Sequence, residues 1–198
     1  MNAGVPTIPG DFMEDSDIKI FGSDACACDA GEMDLAECVN RFRSDGSFQK
    51  AKQLGASLAE TVSRDPCGFE LPQEAQQLCA DENTAAQMKV LLVFCVQITL
   101  HRELPHQILS AEAVNEFYDC LMRLSPALYE SLADGAAFTF YYLAVKGSQD
   151  IAASAGSQFA MLCGQEDSAD YARVGKMLFS IYTARTAAAV KQAGFLRA

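Results

Sequence analysis

The sequence predicts an all-α fold, a single-domain bundle of about seven to nine helices around a buried central helix at residues 84–104. Three observations carry that expectation. Apolar residues recur at steps of three and four, and no segment sustains the period-two alternation of a half-buried strand. The run Val90-Leu91-Leu92-Val93-Phe94-Cys95-Val96 is apolar on every helix face, so other helices must surround it. Capping residues, Gly and Pro punctuate the chain with short links, which favour antiparallel neighbours.

Residues 1–30, rich in Gly, Pro, Asp and Ser, read as an acidic, mostly irregular N-terminal arm, with an apolar patch at Ile18, Ile20 and Phe21. The helical domain occupies 31–198. Asp29 and Glu32 have capping-box spacing ahead of a short helix through Leu35, Cys38, Val39 and Phe42, which Gly46 breaks. Ser47 is the expected cap of a second helix with Phe48, Ala51, Gly55, Leu58 and Val62 on one face and Asp65-Pro66 at its end. Pro72 opens a short third helix through Ala75, Leu78 and Cys79. The central helix starts near Asn83 or Thr84 and meets Pro105.

Beyond Pro105, Ser110 is the expected cap of a helix with Val114, Phe117, Tyr118, Leu121 and Met122 on one side. Ser125-Pro126 starts a short helix through Leu128, Tyr129 and Leu132, which Asp134-Gly135 ends. Ala136 to Lys146 is an aromatic-rich helix closed by Gly147; Ser148 begins the next, and Gly164 closes it. The longest helix runs from about Ser168 to Ala193, with Gly194 as its cap. Tyr129 and Tyr171 open comparable segments about forty residues apart, which would suit a helical repeat, but the residues around them do not align at that period.

Charge and cysteine usage bound the function. The formal charge of -11 opposes binding to phosphate backbones or anionic lipid, so neither nucleic acid nor a membrane surface is expected as a partner. Nine acidic side chains against the single Lys19 fall within residues 1–37, whereas Tyr171 to Ala198 carries five basic residues and no acidic one. Residues 1–10 lack a charged region followed by an apolar run, so the chain is expected in the cytoplasm with its eight cysteines reduced. The longest uninterrupted apolar run, Val90 to Val96, falls far short of a membrane span.

The chemistry-bearing residues form no complete site. Both histidines, His101 and His106, flank Pro105, and Glu103 with His106 has the Glu-x-x-His spacing of di-iron bundles. That site needs two copies, and Pro105 breaks the only one, leaving di-iron binding only to a site shared between protomers. A simpler reading places His101 and Arg102 in the last helical turn, where cationic side chains suit the negative end of the helix dipole. On that reading His101 titrates at or above about 6.5, and below it if buried in a pocket. Cys67, between Pro66 and Gly68, is a loop thiol that could serve as a nucleophile if a histidine came alongside.

Cys26, Cys28 and Cys38 place three thiols within thirteen residues, which leaves zinc as the one metal the spacing allows, although paired knuckles are absent and no cofactor is expected. Calcium-loop, phosphate-loop and nucleophile-elbow patterns are absent too. Phe138, Phe140, Tyr141 and Tyr142 cover more than half of a helix circumference, so at least one should point away from its own core, toward a subunit interface. The function expected is therefore a non-catalytic helical interaction module that self-associates as a homodimer and could take a protein partner. The alternative is a small-molecule or metal-dependent enzyme with a site near His101, Glu103 and His106, which Cys67 could join.

Overall fold

The computed structural model describes residues 32–64, 71–78, 80–132 and 135–195, and among these it contains nine helices and no strand. In order they are α1 Glu32–Ser44, α2 Ser47–Ser63, α3 Gln73–Leu78, α4 Glu82–Glu103, α5 Gln107–Leu124, α6 Pro126–Leu132, α7 Ala136–Val145, α8 Ile151–Leu162 and α9 Ala169–Ala193. The expected acidic arm, Asp29 with its capping box, and the Asp65-Pro66 helix end lie outside the described residues.

The all-α expectation holds, and α4 is its centre. Every side chain from Val90 to Val96 is buried, and α2, α5, α6, α7, α8 and α9 all pack on this helix. Burying a large apolar side chain contributes roughly 1.5–3 kcal/mol, so a helix without a polar face is stable only when enclosed on all sides. Among the described residues, α4 alone is long and apolar enough by length and composition to cross a membrane. It is mostly buried inside the domain, as a core helix is.

Two pairs of helices approach closely through glycine. On α2, a Cβ at Gly55 would strike the carbonyl oxygen of Ala113 in α5 and come within 3.0 Å of the Phe117 nitrogen. On α8, a Cβ at Gly156 would strike the Ala172 carbonyl oxygen and come within 2.7 Å of the Lys176 nitrogen in α9. The bundle is thus organised as an α2–α5 pair and an α8–α9 pair, with α9 also packed against α4.

Several helix starts differ from the sequence reading, each for a local reason. Ser47 is the first residue of α2; Gly46, at φ +77°, precedes it, and Asp45 Oδ1 accepts from the Ser47 nitrogen at 2.8 Å. Asp81 caps α4, its Oδ2 accepting from the Thr84 nitrogen at 2.7 Å and from the Thr84 hydroxyl at 2.6 Å, so the helix begins at Glu82. Asp150, not Ser148, caps α8 by accepting from the Ala153 nitrogen at 2.9 Å. Ser110 does not cap α5: it lies inside the first turn, 1% exposed, and His106 takes the cap.

Candidate functional site

The junction of α4 and α5 is built by Pro105. Its missing N–H cannot continue the helical ladder, so α4 ends at Glu103, with the Leu104 nitrogen donating to Leu100 O at 3.2 Å. The chain turns at once into α5, where His106 Nδ1 accepts from the Ile108 nitrogen at 3.2 Å and so satisfies one of the unpaired donors of the helix start. The His106 ring also meets Phe42 edge-on, with centroids 5.2 Å apart.

His101 lies with Arg102 in the last turn of α4, as the spacing predicts, but it is half-buried there. Its Nδ1 lies 2.6 Å from Ser110 Oγ across the junction, and burial holds its pKa below the ordinary histidine value. Glu103 turns to Arg102, with Nε to Oε1 at 3.0 Å. The expected trio of His101, Glu103 and His106 is therefore split among three separate tasks: a core hydrogen bond, a surface ion pair and a helix cap. The Ser–His pair resembles a nucleophile and its base only in its hydrogen bond, because Ser110 is too deeply buried for a substrate to reach.

Among the described residues no cluster of three or more His, Cys, Asp or Glu could hold a metal ion. Cys26, Cys28 and Cys67 lie outside the described residues, and Cys38, partly buried, packs against the hydrophobic core. Burial pushes the Cys95 thiol up and the Cys163 thiol up to about 11. Cys120 is raised first by burial and then by its hydrogen bond to Glu116 Oε1 at 3.4 Å, against the opposing Arg123 Nη2 at 3.0 Å. Thiols held in the protonated form are poor nucleophiles and poor metal ligands.

The aromatic helix α7 sorts its four expected interface residues by depth. Tyr141 is fully buried and stacks on Phe94 at 5.2 Å, which removes it from any outward surface; its position is set by the core it shares with α4. Phe138 meets Phe94 edge-on at 5.7 Å. Tyr142 lies half-buried beneath Lys146 Nζ, 5.7 Å from its ring centroid. Phe140 is the outward residue that the crowding of aromatics requires, at 45% exposure.

Leu143, 60% exposed and one helical step from Phe140, was missing from the sequence reading. Its i+3 spacing from Phe140 is the signal that marks it. Ile151, at the start of the adjoining α8, is exposed as well. None of the ten residues of α7 is charged. Comparison with family models, with curated proteins and with solved structures finds no match for this chain.

Proposed function

We propose that this chain is a non-catalytic helical interaction module that self-associates through the outward face of α7 as a two-fold homodimer. The observation that carries the reading is Phe140 and Leu143 standing exposed on a helix without a single charge. Such a face loses little on leaving water and gains by burial. The occupant assigned is a second copy, and charge limits where two copies can meet. Two chains of -11 repel over most of their surfaces, and a two-fold contact sets each residue near the axis against itself. An uncharged helix is where that repulsion is least.

Ile151 and Met161 are likewise exposed on α8, whose residues carry no charge either, whereas the remaining exposed apolar residues have charged neighbours. Met122 and Leu124 flank Arg123, whose guanidinium pairs with Glu116 at 3.6 Å. The setting proposed is the cytoplasm, where thiols such as Cys38, Cys95, Cys120 and Cys163 remain free. A protein partner would compete for the same α7 face, and the acidic charge disfavours nucleic acid. The enzymatic alternative at His101, Glu103 and His106 has less support, since the three side chains serve separate structural contacts. Static light scattering across the micromolar range tests the proposal: a mass rising toward twice the 21.4 kDa chain supports it, and a constant 21.4 kDa at the highest concentrations rejects it.

A further inference from the structure

A cavity of about 190 Å³ lies between α2, α4 and α9, and none of its lining residues belongs to α7. Leu58, Val62, Leu92, Val96 and Tyr182 wall it, all buried. Ser57 of α2 and Arg185 of α9 also line it and are exposed, so it meets solvent between those two helices. An apolar cavity of roughly 150 Å³ takes benzene, so this one has room for a ring with a small substituent.

The polar lining selects against charge. Thr61 Oγ1 donates to Ser57 O and Thr186 Oγ1 donates to Tyr182 O, each at 2.9 Å, so both hydroxyl protons are committed to their own helices. Arg185, the one charged lining residue among the described residues, already has an interaction partner. A charged group drawn between these walls would give up water without a compensating contact, whereas an apolar one gains by burial.

We infer that this cavity is a binding site for a small uncharged aromatic or branched hydrocarbon, held among Leu58, Val62, Leu92, Val96 and Tyr182. Toluene is the probe, titrated into the full chain while the methyl resonances of Leu58, Val62, Leu92 and Val96 are followed by NMR. Benzoate and benzylammonium, close to toluene in size and opposite in charge, are titrated beside it. Those methyls should shift with toluene, and toluene should bind at least about tenfold tighter than either ion, because an unpaired charge loses its hydration on entry. Ala189→Phe, which places a ring on the cavity lining, should weaken toluene by about tenfold or more. No methyl shift at saturating toluene, either ion binding as tightly as toluene, or an affinity that Ala189→Phe leaves unchanged would overturn the proposal; if Ala189→Phe fails to fold, the wild-type shifts and the comparison with the two ions decide.

Discussion

At the scale of single residues, two buried polar groups have consequences that can be measured. His101 is held neutral by burial, so its folded pKa lies below the unfolded value of about 6.5. The unfolded chain then binds more protons as pH falls through about 6.5, so this residue's stabilisation is complete above that value and declines toward the lower folded pKa. Wild type should lose more denaturant resistance than His101→Gln between about pH 7.5 and pH 5.5, and an NMR titration should place His101 below 6.5. A value at or above 6.5 would return it to the role of a cationic helix end. Tyr141 presents the opposite case. Its hydroxyl is buried without a hydrogen-bond partner, and an unsatisfied buried group costs about 1–3 kcal/mol. Tyr141→Phe keeps the ring on Phe94 and should raise the melting temperature; a loss of more than about 1 kcal/mol would reveal a partner for the hydroxyl.

At the scale of helices, what the sequence makes legible is what local chemistry decides. Pro126 opens α6, Ser168 Oγ accepts from the Tyr171 nitrogen at the start of α9, and Gly194 ends α9 at φ +64°, all as the residue types require. The enclosed α4 was equally legible, since a helix apolar on every face has no other stable setting. What spacing cannot show is a partner arriving from elsewhere in the chain. Ser110 looks like a cap until His101, nine residues earlier, claims its hydroxyl. Four clustered aromatics do not reveal which of them faces α4, so Tyr141 and Phe140 could be separated only by packing.

Gly55 belongs to the same class: its spacing places it on the apolar face of α2 but does not show that the α5 backbone lies against it. Gly55→Ala would gain about 1 kcal/mol of helix propensity, yet its methyl would strike the Ala113 carbonyl, a rigid backbone atom. Overpacking of this kind costs about 1–3 kcal/mol, so the variant should be less stable than wild type in urea. Equal or greater stability would mean that α2 and α5 can separate at no cost.

At the scale of the whole molecule, charge and the bare face of α7 act together. The strong net negative charge disfavours encounters between copies, and salt screens it, with a Debye length near 10 Å at about 0.1 M. Self-association through an uncharged helix should therefore tighten as salt is raised, whereas an interface held by ion pairs would weaken. His101 does not belong to that face, so replacing it should change stability without changing self-association through α7. The most direct measurement is sedimentation velocity of wild type beside Phe140→Glu and Leu143→Glu, with circular dichroism to confirm that the helices persist. A concentration-dependent dimer in wild type and a folded monomer in both variants is the predicted result; a wild-type monomer at every concentration, or a dimer that both substitutions leave intact, would contradict it.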